Sequence, residues 1–138
     1  MFDSADTVSE ERSEYWSSIE ASKLSFQRCR ECEHAWLPPR AECPQCLAAH
    51  WRWELASGQG TIISWVVYYR AAQPEFRDHV PYNVVVVELV EGPRMISSVP
   101  QDPRAELMRI DQQVTLRFQE INGTKLPVFS YFEKKESI

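Results

Sequence analysis

Apolar positions change their spacing twice along the chain. Over residues 9–24 the apolar side chains Tyr15, Trp16, Ile19 and Leu24 recur at roughly helical spacing, which predicts an amphipathic helix. Thr7 with Glu10 three residues on has the form of a capping box, and the early acids suit a helix N-terminus. A helix this short is marginal alone, so Trp16 and Ile19 are expected to dock, on this chain or on a partner. Residues 26–51 are short on periodicity and rich in Cys, Pro and Arg. From Trp51 onward the texture is β. Trp51-Arg52-Trp53-Glu54-Leu55 alternates, and Gly58-Gln59-Gly60 interrupts. Residues 61–69 are β-branched and aromatic. Residues 71–81 form a long loop. Residues 82–90 are almost continuous valine, which predicts a strand covered on both faces. Glu91-Gly92-Pro93 is a turn, residues 94–99 a returning strand, and Asp102-Pro103 opens a short helical turn with Asp as N-cap. Residues 114–121 alternate, Asn122-Gly123 makes a tight turn, and residues 126–132 close the set. Six short β segments predict a mainly β chain ending in a small closed or partly open barrel.

Composition narrows the class. The 138 residues, 43% apolar and 25% charged, match an ordinary globular chain of one domain or two small units. The longest apolar runs are strand-sized, far below the roughly 20 residues of a membrane-spanning helix. The acidic N-terminus lacks the basic, apolar pattern of a secretory signal. These features read as a cytoplasmic protein. The net charge of −5 argues against a nonspecific nucleic-acid binder. That charge is uneven: residues 1–27 hold six acids and two bases, whereas residues 28–53 hold four bases and three acids. The only positive block contains every cysteine.

Cys29-Arg30-Glu31-Cys32 and Cys43-Pro44-Gln45-Cys46 are two C-x-x-C turns separated by ten residues. Each can aim two thiolates at one ion, and together they complete a tetrahedron. Disulfides are disfavoured in a reducing compartment, so Cys29, Cys32, Cys43 and Cys46 are expected to bind structural zinc. Rubredoxin-type iron, disulfides and free redox thiols are the competing readings. His34 and His50 lie nearby but are superfluous beside four cysteines.

These segments together resemble the zinc-ribbon plus OB-fold proteins called domain of unknown function thirty-five, the acyl-CoA-associated OB-fold family. The resemblance runs through Tyr15-Trp16, Leu24-Ser25-Phe26-Gln27-Arg28-Cys29, Trp36-Leu37-Pro38-Pro39-Arg40, Cys43-Pro44-Gln45-Cys46 and Trp53. It continues through Gly58-Gln59-Gly60-Thr61-Ile62, Tyr68, Phe76, Pro81-Tyr82-Asn83-Val84-Val85-Val86-Val87-Glu88-Leu89 and Glu91-Gly92. Glu33 and Asp111 stand where the family usually has glycine. The resemblance implies an N-terminal helical segment (1–25), a rubredoxin-like zinc ribbon (26–52) and a C-terminal OB-fold barrel (53–138). It further implies a non-catalytic accessory subunit in a hetero-oligomer with a thiolase-superfamily enzyme, including lipid-transfer-protein-like aldolases, or with a MaoC-like hydratase. Such a subunit helps bind or channel the partner's acyl-CoA.

The residues permit this reading. Arginine suits phosphate through its planar fork. Arg28, Arg30, Arg40 and Arg52 lie in or beside the cysteine block, and Arg70, Arg77 and Arg94 follow. Arg40, Phe76, Arg77 and Tyr82 are the candidate CoA contacts. Solvated arginines and a solvated loop with one anchoring phenylalanine are the plainer alternative. Trp16, Trp36 and Pro38 are candidate partner contacts, against docking within the chain. No G-x-S-x-G elbow, H-E-x-x-H pair or phosphate-cradling glycine loop supports catalysis by this chain alone. His79 beside Asp78 is a weak acid/base candidate. A single-stranded nucleic-acid module, stacking bases on Trp51, Trp53, Trp65, Tyr68 or Tyr69, is the second function class.

Overall fold

The computed structural model describes residues 10–70 and 80–132. By packing, the chain divides into two units, Met1–Ser57 with Glu91–Pro93, and Gly58–Val90 with Arg94–Ile138. Among the described residues no helix is long and apolar enough to cross a membrane.

The first unit carries helix α1 (Glu10–Glu20) and strands β1 (Ser25–Cys29), β2 (Ala35–Trp36) and β3 (Trp51–Leu55), ordered β2-β1-β3 and antiparallel throughout. The helix stops before the expected Leu24. Ser22 takes a left-handed φ of 61°, Lys23 N–H reaches back to Ser18 O at 2.8 Å and Ser22 N–H to Ile19 O at 2.8 Å. This Schellman pattern closes a helix. Leu24 is thereby freed from the helix and lies buried beside the start of β1. Tyr15 and Ile19, four residues apart, form the buried helical stripe, and the Ser18 hydroxyl meets the Ser25 hydroxyl at 2.9 Å. Trp16, expected on that stripe, is 41% exposed and meets Tyr15 edge-on. Burial pushes the Tyr15 hydroxyl up to about 12. The proposed Thr7 cap lies outside the described residues. Strand β3 runs through residue 52, and all of its residues, Trp51 to Leu55, pair with β1.

The second unit is a five-stranded antiparallel sheet in the order β6-β5-β4-β7-β8. Its strands are β4 (Gln59–Tyr68), β5 (Tyr82–Leu89), β6 (Arg94–Ser97), β7 (Gln113–Ile121) and β8 (Thr124–Tyr131). The two end strands meet: Phe129 N–H donates to Ser98 O at 2.9 Å, and the Ser97 hydroxyl donates to Pro127 O at 2.9 Å. These bonds curl the sheet into the OB-type barrel. Ile62, Val85, Val87, Leu89, Val114, Val128 and Phe129 fill it. A Cβ at Gly60 would lie 2.7 Å from Val87 Cγ1 and 2.8 Å from Glu88 O, so only glycine fits at this point of the β4–β5 pairing. Asn122 and Gly123, at φ 53° and 81°, form the two-residue turn between Ile121 and Thr124.

Two expectations change here, and a bulge adds a feature the spacing did not indicate. The valine run of β5 is not covered equally on both faces. Asn83, Val85, Val87 and Leu89 are buried, while Tyr82, Val84, Val86 and Glu88 are half-buried. A curled sheet covers its concave face with its own core and leaves the convex face partly open. In β4 a bulge between Ile62 and Ser64 shifts the register, so inward positions change from even to odd numbers. Ser64, Val66 and Tyr68 then lie outside. Finally, Asp102 caps a bend and not a helical turn. Its carboxylate accepts the N–H groups of Glu106 at 3.0 Å and Leu107 at 2.8 Å, while Ala105 turns back at φ 55°. Buried Asn83 bonds Val99 N–H and O and Asp102 O, all at 2.7–2.9 Å, and fixes this bend to the barrel.

Candidate metal centre and surrounding surface

Two nearly identical loops build the sulfur cluster. After Cys29, Glu33 N–H donates to Cys29 O at 3.1 Å and Cys29 N–H to His34 O at 2.8 Å. After Cys43, Leu47 N–H donates to Cys43 O and Cys43 N–H to Ala48 O, both at 2.9 Å. The fourth residue after each leading cysteine takes a left-handed φ, 67° at Glu33 and 68° at Leu47. Glu33 therefore occupies the strained position that its place in a glycine pattern implied, and Asp111 at φ 66° does the same in the barrel. Within each loop the leading sulfur accepts two backbone N–H groups, from Glu31 and Cys32 at 3.3 and 3.4 Å, and from Gln45 and Cys46 at 3.4 Å each.

The four Sγ atoms lie within 4.8 Å of one another, with Cys29–Cys46 at 3.6 Å and Cys32–Cys43 at 3.7 Å. Disulfide bonding needs about 2.05 Å. A tetrahedron with Zn–S bonds of about 2.3 Å has edges of about 3.8 Å, close to these two separations. The acidities agree. For Cys29 the Cys32 N–H outweighs burial and holds the thiol below its usual value. Burial opposes ionisation of Cys43, but the N–H groups of Cys46 and Gln45 bring it down to about 7. The His34 N–H favours the Cys32 thiolate, yet burial and the sulfurs of Cys43 and Cys29 push Cys32 up. Cys46 has the Ala48 N–H in its favour, yet burial and three neighbouring sulfurs push it up to about 12. Four sulfurs this close cannot all ionise without a cation, and a divalent ion removes that conflict. Four protein sulfurs leave no position for water, so the residues fit a structural zinc ion.

Trp36 packs into the same cluster, with Cys29 and Cys43, and is 3% exposed. Its indole is used inside the ribbon, so the expectation of Trp36 as a partner contact has no exposed face to rest on. His34 stacks on Trp36 with ring centres 6.3 Å apart, and His50 pairs with Glu31 at 3.2 Å. Neither belongs to the sulfur cluster.

Of the arginines expected to meet phosphate, three are engaged by glutamates. Arg28 pairs with Glu54 at 3.0 Å, Arg52 with Glu54 at 2.7 Å and Glu33 at 3.3 Å, and Arg94 with Glu88 at 3.2 Å. The Arg28 guanidinium, aided by Arg52 and opposed by burial, holds Glu54 below the usual carboxylate range. Arg40 is exposed on the loop after β2. Its backbone is gripped by Gln27, whose side chain accepts Arg40 N–H and donates to Arg40 O, both at 2.8 Å. Gln27 is fully buried. Pro38 is exposed on the same loop. Tyr82 is half-buried and stacks on Tyr68 at 5.2 Å between ring centres. Phe76, Arg77, Asp78 and His79 lie outside the described residues. Gln27 escaped sequence reading because a glutamine between Phe26 and Arg28 carries no signal of its partner thirteen residues away.

Two family descriptions match the chain, the ChsH2 rubredoxin-like zinc ribbon domain over residues 16–52 and the ChsH2 C-terminal OB-fold domain over residues 53–119. The chain belongs to the ChsH2 (DUF35) family. A DUF35 domain-containing scaffold protein of Methanothermobacter thermautotrophicus is 34% identical over 100 residues, covering 71% of this chain and 73% of that one. A probable enoyl-CoA hydratase alpha subunit of Thermomonospora curvata is 32% identical over 85 residues, which is 62% of this chain but only 26% of that protein. The solved Ltp2-ChsH2(DUF35) aldolase superposes with a TM-score of 0.73 at 28% identity, covering 91% of this chain and 97% of that one. A DUF35 protein of Sulfolobus solfataricus, at 10% identity and a TM-score of 0.60, shares the fold. The family description and the sulfur geometry together support zinc in the ribbon over the competing readings.

Proposed function

We propose that this ChsH2-type chain is an accessory subunit of an acyl-CoA enzyme. Its partner is a thiolase-superfamily subunit, a lipid-transfer-protein-like aldolase in the first instance, and the pair forms a hetero-oligomer. The likeness to the Ltp2-ChsH2(DUF35) aldolase over nearly the full length of both chains carries this reading. The Thermomonospora curvata relative favours a hydratase as the second possible companion, since that protein is named a hydratase alpha subunit. The ribbon's own chemistry is consistent with a supporting role. Its four cysteines converge on one ion and leave no thiol as nucleophile.

The contribution to the thioester is the finer part of the proposal. Tyr82 and Tyr68 present stacked rings at one end of β5 and β4, a platform for the pantetheine arm, with Phe76 and Arg77 as further contacts. Trp16, with 41% of its surface open, and Pro38 are candidate points of contact with the enzyme.

Co-expression with the candidate aldolase and hydratase subunits tests this directly. The expected result is co-elution on gel filtration with one companion, and acyl-CoA turnover that needs both chains. Tyr82→Ala in that complex is expected to raise KM for the CoA ester more than it lowers kcat. Separate elution, or equal turnover by the companion alone, overturns the proposal.

A further inference from the structure

Gln27 is a polar side chain with no exposed surface, in the central strand of the ribbon sheet. Burying an amide is unfavourable unless it is hydrogen-bonded. Both ends of this amide are satisfied by the backbone of one residue, the N–H and O of Arg40, at 2.8 Å each. One residue further on, Trp51 Nε1–H donates to Ala41 O at 3.1 Å. Pro38 and Pro39 stiffen the approach to this point. The backbone of residues 38–41 is therefore fixed by three side-chain bonds and two prolines, while the Pro38, Arg40 and Ala41 side chains face outward. Among the described residues no ion pair involves Arg40, in contrast to Arg28 and Arg52 in the same unit.

A rigid loop loses little freedom on binding, and arginine is prominent among residues that anchor interfaces. We infer that the 38–41 loop is a preformed docking loop. On this inference Arg40 receives an Asp or Glu carboxylate of the companion enzyme subunit, and Gln27 is its positioning residue. This assignment rests on the accessory-subunit reading above. A carboxylate fits better than a CoA phosphate. The loop offers one guanidinium, Glu42 is exposed two residues away, and the remaining loop side chains are proline and alanine. A doubly charged phosphate calls for several cations, whereas a single planar fork matches a single carboxylate.

The test uses the full chain and the companion subunit with which it co-elutes. Truncating one member of a desolvated charge pair typically weakens binding about 30-fold or more, and that loss is expected for Arg40→Ala, with Arg40→Lys in between. Gln27→Leu and Trp51→Phe keep the cation but loosen the loop. Each should weaken binding less than Arg40→Ala, and neither should add a further loss in an Arg40→Ala background. Zinc content and melting temperature of each variant confirm that the ribbon stays folded. In the free chain, Arg40 N–H should exchange slowly with solvent and become fast in Gln27→Leu. Should that variant fail to fold, fast exchange at Arg40 in the unmodified chain is the outcome that sinks preformation. Normal affinity of Arg40→Ala, beside a wild-type chain that binds, overturns the docking loop and leaves the accessory reading intact. A wild-type chain that binds neither candidate companion overturns both. Unchanged CoA-ester KM in a complex formed with Arg40→Ala at saturating concentration separates the carboxylate contact from a phosphate contact, and a raised KM overturns the carboxylate assignment.

Discussion

The ribbon and the barrel are both antiparallel β structures, but different forces hold them. In the ribbon, strands of five, two and five residues surround a cluster in which Cys29, Cys43 and Trp36 are buried and Cys32, Ala48 and Trp51 are partly covered. So small a core needs a staple, and the sulfur cluster provides it. The barrel buries Ile62, Val85, Val87, Leu89, Val114, Val128 and Phe129 and joins its end strands by hydrogen bonds. Its stability comes from apolar area removed from water. The ribbon should therefore fail when metal chemistry is disturbed, and the barrel when volume is removed.

The largest effect is expected from removing the ion. Chelation, or Cys43→Ser, should withdraw metal-binding energy on the order of 10 kcal/mol and unfold the ribbon. Barrel amides followed by NMR should keep their dispersion, and metal analysis should fall from about one zinc per chain. A fully folded, metal-free ribbon would contradict the sulfur-centred account. The converse experiment is Phe129→Ala, which should lower barrel stability by about 3–5 kcal/mol while zinc content stays unchanged. Loss of zinc in that variant would show that the two units do not respond independently.

A smaller effect isolates the polar part of the barrel. Burial pushes the Asp102 carboxyl up, but the Tyr131 hydroxyl and the N–H groups of Leu107 and Glu106 outweigh it and hold the group below its usual value. The native form thus favours the carboxylate. Its contribution is complete above the ordinary carboxylate range and disappears as pH falls through the depressed native value. Asp102→Asn should cost about 1–3 kcal/mol at neutral pH. The gap from wild type should hold steady down to about pH 5 and close below about pH 4. Thermal melts monitored at barrel amides measure it, and a gap that widens in acid would reverse the sign argued here.

The smallest effect concerns strain. Glu33→Gly should relieve a left-handed backbone and stabilise the ribbon by up to about 1 kcal/mol, partly offset by the exposed Arg52 contact it removes. Asp111→Gly should gain less, because aspartate tolerates that conformation better. Chelator competition for zinc reads the first and barrel melting the second. Destabilisation by Glu33→Gly would mean that its ion pair outweighs its strain.

The sulfur ligands were legible because a C-x-x-C turn is a local device: the ligand atoms converge through four consecutive residues, twice. The Asn122-Gly123 turn was legible for the same reason, and so were the strands dense in valine and alternating aromatics. The special φ at Glu33 and Asp111 could be anticipated from a glycine pattern these residues interrupt. Residue contacts distant in sequence were not legible. The pairing of Arg28 with Glu54 and of Arg52 with Glu33 depends on which glutamates register and loop closure set beside them, whereas Arg52 and Glu54 already share a face by alternation. The burial of Trp36 depends on the ribbon closing over its sulfurs, and the exposure of Trp16 on Tyr15 taking the buried stripe.

Sequence alone determined the metal ligands, the sites of most strands and the two-part order of ribbon then barrel, since each is written in short-range spacing and alternation. Tertiary structure alone decided which face of β4 turns inward after its bulge, and which cations among the described residues are neutralised by glutamates and which, Arg40 among them, are not. It also decided that Gln27 holds the backbone of Arg40. A side chain's neighbours across a sheet are set by register and closure, and those follow from the minimum of the whole fold, not from any short stretch of it.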